Sequence, residues 1–303
     1  MTRGRPFVLP LALTCLLAGA CAGPKLPARQ HPSPSLSSPG PQILLSVLAG
    51  SVSLVDPSTG RMTTLASNLS DYQAGFASWE PDHRRLAYGD GGIVIVDLAT
   101  GRRTTVARGP AVSMPSWSPD GAFLAYGNGV ALWLASADGA NAAPVRLVAT
   151  LAPLGMAWGP TGMIALEGLE RDCSRSFACT STDRSEIWTV TPDSANLHQV
   201  THVGHAASPK WSPDGSRLLY IERSAGTDRG SLWSIGADGS GASRMTSAND
   251  VVAADWSPDG HQLAVVRPGT SPQTLQLWVG DSNGSALQAV GSPVAGSEAS
   301  VDW

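Results

Sequence analysis

Lysine is scarce in this chain: Lys25 and Lys210 stand against 18 arginines among 303 residues. Arginine is therefore the ordinary base here and does not by itself mark a binding site. An excess of positive charge is lacking too. The formal net charge is −4, and residues 1–21 hold Arg3 and Arg5 but no acid, so the remainder carries −6. That excludes a nucleic-acid partner on electrostatic grounds. The chain has no H-E-x-x-H pair and no phosphate-cradling glycine loop, which removes the enzyme classes carried by those two motifs. What is present, 42% hydrophobic and 15% charged residues with 33 Gly and 23 Pro, suits an all-β domain rich in turns.

Acidic residues are absent before Asp56, and the segment they avoid has two parts. Residues 1–21, MTRGRPFVLPLALTCLLAGAC, combine a basic start, an apolar run from Phe7 to Leu17 and small residues before a cysteine, the three parts of an export signal. The run is too short to span a membrane permanently. Its end, Leu17-Ala18-Gly19-Ala20-Cys21, resembles the lipobox of bacterial lipoproteins, which implies cleavage before Cys21 and a lipid on its sulfur. A plain signal peptide cut near Ala20 or Ala22 is the alternative. Residues 22–41 are rich in Pro and Ser without an apolar period and are expected to be an extended tether, reaching on the order of 60 Å. A folded domain is expected over residues 42–303.

Within that domain one unit recurs. SWEPDHRRLAY from Ser78, SWSPDGAFLAY from Ser116, AWGPTGMIAL from Ala157, PKWSPDGSRLLY from Pro209 and DWSPDGHQLAV from Asp255 share a Trp, a turn and an apolar run, and the chain ends on SVDW. The tryptophans Trp79, Trp117, Trp158, Trp211, Trp256 and Trp303 are spaced 38, 41, 53, 45 and 47 residues apart. A period in the forties with several short strands per unit is the signature of a propeller. A second β-rich run with its own turn follows in each interval, beginning at Ser51, Ile93, Ala131, Glu186, Ser231 and Gln276. There are six of these runs but only five complete Trp motifs, so the sixth blade must combine an inner strand from residues 298–303 with three strands from residues 42–67. Such closure hides the sheet edges that otherwise invite aggregation.

The succession W-S-P-D-G, L-A-Y, L-W and a D-G turn resembles the TolB-like family of β-propeller repeats across essentially all of residues 42–303. The resemblance implies a six-bladed propeller, in agreement with the count. Glu80 and His83 alter the first copy, Thr161 replaces Asp in the third, and Leu54 and Ile95 stand where a second Trp is usual. TolB itself has an added N-terminal α/β domain for which this chain leaves no room, so its role in the Tol system is not implied. The repeat tryptophans are expected to pack between blades. Asp120, Asp214 and Asp259 are expected to brace the turns, where Pro fixes φ and Gly accepts positive φ. The alternative, a sugar-stacking platform of tryptophans, fits poorly with fixed positions in successive repeats.

Function is sought where the repeats differ. In the strand order of this family, the turns after W-S-P and after L-W share one face, while the loops between second and third strands and between blades share the other. The 53-residue interval places its extra length on the second face, in EGLERDCSRSFACTSTDRSE from Glu167 to Glu186, and repeat scaffolds carry insertions on the face that binds. Cys173 and Cys179 are expected to form a disulfide in an exported protein, with a metal or redox pair as the alternative. The candidate binding face comprises Glu170, Arg171, Asp172, Arg175, Asp183 and Arg184 of the insert, His202 and His205 of the next loop, and Arg223, Asp228, Arg229 and Asp250 on equivalent loops. A solvated charged loop is the plainer reading of these residues. A metal site on the two histidines would need a further ligand, with Asp172, Asp183 or Glu170 nearest in sequence, so the constellation is incomplete; no metal, cofactor or catalytic residue is expected. The sequence thus points to an exported, lipid-anchored monomer that binds an envelope protein or polymer in a bacterial envelope. A carbohydrate or peptidoglycan binder and a propeller hydrolase or lyase are the alternatives.

Overall fold

Each repeat folds as one antiparallel sheet of four strands, because its apolar runs are short, β-rich and separated by turn residues. In the computed structural model the described residues are 42–48, 50–67, 69, 76–109, 112–129, 131–145, 151–172, 180–224 and 226–303, the side chains of residues 112, 113, 144, 172, 180, 181 and 183 apart. The chain divides into two units, Met1–Leu36 and Ser37–Trp303, and every described residue lies in the second. The expected signal and tether, residues 1–41, lie outside the description. Among the described residues there is no helix, and there are six four-stranded sheets. They form a six-bladed β-propeller.

The innermost strands of blades one to five are Ala77–Trp79, Val112–Trp117, Leu151–Trp158, Ala206–Trp211 and Ala253–Trp256. In the sixth blade the innermost strand is Ala299–Asp302, and it pairs antiparallel with Ile43–Val47, Leu44 opposite Asp302 and Val47 opposite Ala299. Ser51–Val55 and Met62–Ser67 complete that sheet. This is the composition that the count of motifs requires.

The core lies between the blades. Among the described residues six apolar clusters occur, one at each junction of neighbouring sheets. Alternation along a strand divides its side chains between the two sides: Leu86 and Tyr88 pack toward blade six, while the intervening Ala87 packs toward blade two. Strands buried on both faces read as continuous apolar runs, which is why L-A-Y lacks a polar alternate. The indoles of Trp79, Trp117 and Trp211 fasten their junctions by hydrogen bonds, whereas the Trp158 indole N–H donates to Gly162 within its own blade. The Trp117 indole N–H donates to the Ser78 carbonyl at 3.1 Å and the Trp211 indole N–H to the Ala157 carbonyl at 3.1 Å, both in the preceding blade. Gly159 stands where three other copies have Ser and the first has Glu80, and a Cβ there would come 2.7 Å from the Trp211 ring.

In the W-S-P-D-G turn, Asp120 Oδ1 accepts from the Ser118 hydroxyl at 2.6 Å and the Ala122 N–H at 3.0 Å, while Gly121 takes φ 66°. Asp214 and Asp259 repeat the arrangement with Ser212 and Ser257. In the altered first copy His83 occupies the glycine position at φ 58° and stacks on Trp79 with ring centroids 4.9 Å apart.

Candidate functional site

The innermost strands enclose a central cavity of about 430 Å³, which runs from Phe76, Glu167 and Arg223 at the loop end to Pro81, Pro119, Pro160, Pro213 and Pro258 at the turn end. Its chemistry is set by the residue that precedes each repeat Trp. In blades one, two and three this residue is Ser78, Ser116 and Ala157; in blades four, five and six it is Lys210, Asp255 and Asp302. One half of the ring is small and the other half charged.

Lys210 Nζ lies 3.0 Å from Asp255 Oδ2 and 2.5 Å from Asp302 Oδ1. The carboxylates also cap backbone donors of the next blade: Asp302 Oδ2 accepts the Trp79 N–H at 2.7 Å, and Asp255 Oδ2 the Trp303 N–H at 3.3 Å. Burial works against the Lys210 charge, but the two carboxylates outweigh it and hold its proton above the usual lysine range. Burial, reinforced by the like charge of Asp302, pushes the Asp255 carboxyl up to about 7 against the pull of Lys210. Two carboxylates therefore compete for one ammonium in a space of low polarity.

At the loop end Arg223 Nη1 donates to Glu167 Oε1 at 2.7 Å, and Glu167 Oε2 accepts the Ser208 N–H at 3.1 Å. Ser208 has φ 54°, and the register of its strand shifts between Ala207 and Lys210. The buried Glu167 thus holds the bulge that sets where the Lys210 side chain emerges. Burial raises the acid range of the nearby Glu298, with Asp228 acting in the same direction and Arg223 against it.

The described residues of the blade-three insert are paired strands rather than loop. Ile164–Asp172 and Thr180–Val190 pair over most of their length, with an irregularity between Leu169 and Arg171. On it Arg184 Nε lies 3.3 Å from Glu170 Oε2 and Arg184 Nη2 3.8 Å from Glu186 Oε1. Glu186 is fully buried and accepts the Thr201 hydroxyl at 2.6 Å, the Val203 N–H at 3.1 Å and the Gly204 N–H at 2.7 Å. It builds the loop on which His202 and His205 stand exposed. Arg223 turns into the channel, Asp228 is exposed and Arg229 half-buried, and Asp250 Oδ1 stands 3.0 Å from Arg267 Nε. Arg171 lies on the first strand of the hairpin and is engaged there. Cys21, Cys173, Arg175 and Cys179 lie outside the described residues, as do the side chains of Asp172 and Asp183. Among the described residues no group of His, Cys, Asp and Glu is arranged to hold a metal ion.

The structure thus unites Glu170, Arg184 and the His202–His205 loop around blade three. Arg223 lines the channel instead, and the exposed Asp228 lies, like Arg223, near Glu298. Sequence reasoning missed Lys210, Asp255, Asp302 and Glu167. A signal was present: the position before the repeat Trp should be uniform in an architectural motif, yet it changes from Ser or Ala to Lys and Asp.

No protein-family profile matches the sequence, and no curated protein matches it. Solved structures do. A protein assigned as TolB from Agrobacterium tumefaciens is 19% identical with a TM-score of 0.63, covering 84% of this chain and 91% of that one. TolB from Acinetobacter baumannii is 16% identical with a TM-score of 0.66, covering 86% of this chain and 66% of that one. The fold is a TolB-like six-bladed propeller. A chain of the nidogen/laminin complex, 14% identical with a TM-score of 0.65, is covered over 98% of its length and matches 86% of this one. At these identities the likeness is one of fold. The TolB-like propeller here is distinguished from its own repeat by the tall hairpin of blade three and by the half-charged ring of its channel.

Proposed function

We propose that the protein is an exported propeller, anchored by a lipid on Cys21, that serves as a protein-binding scaffold in the bacterial envelope. It meets its partner on the face that carries the blade-three hairpin. The observation behind this reading is the hairpin itself, whose strands of 9 and 11 residues are the longest described and depart from the repeat on one face only. The repeat needs none of that extra length to complete a blade. Glu170, Arg184 and the loop built on Glu186 give the face charged and hydrogen-bonding groups held by their own contacts, which lowers the ordering cost of association. Arg171, Arg175 and Arg184 supply the residue type enriched at binding hot spots, and a Cys173–Cys179 disulfide would restrain the segment between the two strands.

Capture from envelope extracts tests the reading. Arg171→Ala with Arg184→Ala, and Cys173→Ser with Cys179→Ser, are expected to leave the thermal midpoint within a few degrees and to deplete the captured partner. Retention of the same partner by both variants overturns the assigned face. Detergent phase partition tests the anchor, with wild type in the detergent phase and Cys21→Ala in the aqueous phase. Equal partition rejects lipidation.

A further inference from the structure

We infer that the turn-side end of the channel is a binding site for a small organic monocation, a primary ammonium or guanidinium on an apolar body, that pairs with Asp255 and Asp302. The site lies at the other end of the ring from the hairpin and does not depend on the scaffold reading.

Charge complementarity carries the inference. Among the described residues lining the channel the acids are Glu167, Asp255 and Asp302 and the bases are Lys210 and Arg223. Arg223 is engaged by Glu167 at the far end, so at the turn end two carboxylates face a single ammonium. Space is left for a second cation because the equivalent positions across the ring are Ser78, Ser116 and Ala157. The cavity of about 430 Å³ is within the range of small-molecule sites. Met114 and Met156 line the wall beside those small residues, a surface suited to an apolar body. Asp82, Asp120, Asp214 and Asp259 follow four of the five exposed prolines that ring the mouth. Hydrogen bonds from Ser212 and Ser216 lower the Asp214 carboxyl to about 2, and those from Ser257 and His261 lower Asp259 below its usual range. A mouth of fixed negative charge steers cations inward.

Binding is expected to be linked to a proton. Asp255 faces Lys210 from blade four and Asp302 from blade six, and beyond Asp302 lies His83, whose charged form burial disfavours. With its carboxyl at about 7, Asp255 must release a proton near neutral pH when a cation enters.

The test uses the purified full-length protein with 2-phenylethylammonium chloride, its neutral isostere 2-phenylethanol and a capped Gly-Lys-Gly peptide, followed by tryptophan fluorescence and calorimetry. The ammonium is expected to bind at least about tenfold more tightly than the alcohol and the peptide, and about tenfold more tightly at pH 8 than at pH 5.5. Asp255→Asn should weaken it about tenfold at pH 8 with an unchanged near-UV dichroism spectrum. Lys210→Met, by removing the built-in cation, should strengthen it, an effect that a purely structural cluster does not produce. If that variant does not fold, the Asp255→Asn arm decides alone. Equal binding of ammonium and alcohol, indifference to Asp255→Asn, or no binding at about 10 mM overturns the site. Peptide binding as tight as that of the free amine overturns the small-molecule assignment.

Discussion

The two halves of the channel wall occupy the same place in the repeat and differ in what stands there. Ser78, Ser116 and Ala157 precede the repeat Trp in three consecutive blades, and Lys210, Asp255 and Asp302 precede it in the other three. Backbone and neighbours are nearly the same, so the architecture does not require the charges. On the small side Ser116 still performs the architectural task, accepting the Trp158 N–H at 2.8 Å. On the charged side Asp302 and Asp255 perform it for Trp79 and Trp303 and carry ionisation besides. A hydroxyl suffices for the bond, and the carboxylate is the addition.

The largest effect that could break this contrast is removal of the closing strand. Deleting residues 298–303 strips blade six of its inner strand and takes Asp302 and Trp303 with it, and a loss of several kcal/mol is expected. Calorimetry should show a midpoint lowered by at least about 10 °C or no cooperative transition.

Next is Lys210→Ala, which leaves two mostly buried carboxylates without their ammonium and should cost about 3–5 kcal/mol at pH 8. The mirror change on the small side, Ser116→Ala, should cost only about 1 kcal/mol. Similar denaturant midpoints for the two variants would erase the distinction between the halves. Gly159→Ala lies between them, at about 1–3 kcal/mol, because its methyl group meets the Trp211 ring.

The pH profile sharpens the contrast further. The folded-state Asp255 carboxyl is raised to about 7 from 3.8, so its proton-bound form favours folding. That contribution is full below about 4 and is lost as pH rises through about 7. Lys210, raised above the lysine range, contributes throughout this window and loses its effect only in strong alkali. Asp255→Asn should therefore flatten the fall in stability between pH 4 and 7. The turn carboxylate Asp214, lowered to about 2, acts in the opposite sense, and its contribution disappears as pH falls below about 4. Being exposed, it should shift the thermal midpoint least of all, and Asp214→Asn should leave the neutral-pH midpoint almost unchanged.

Much of this fold was legible because a propeller repeats its own evidence. Five W-x-P motifs fixed the period, and the missing partner of the run from Ser51 put residues 42–48 and 298–303 in one blade, where Ile43–Val47 does pair with Ala299–Asp302. The channel chemistry was hidden by the same ring geometry. Lys210, Asp255 and Asp302 are 45 and 47 residues apart in sequence, and each looked like a single deviation in a copy of the motif. Only closure brings the last of them within reach of the first. Glu186 escaped notice for a different reason: it marked only the end of the insert and the start of a β-rich run, yet it is the buried acceptor on which the next loop is built.

Because the apolar clusters lie at the six junctions and not at a common centre, damage is compartmental. A substitution such as Leu86→Ala weakens one junction, and a second at Leu219 lies in a cluster that shares no member with it. Such pairs should add, while two changes within one cluster should interact. This insulation gives the propeller room to evolve: a hairpin can lengthen on blade three, or a serine become an aspartate on blade five, with its energetic consequences confined to the adjoining blades.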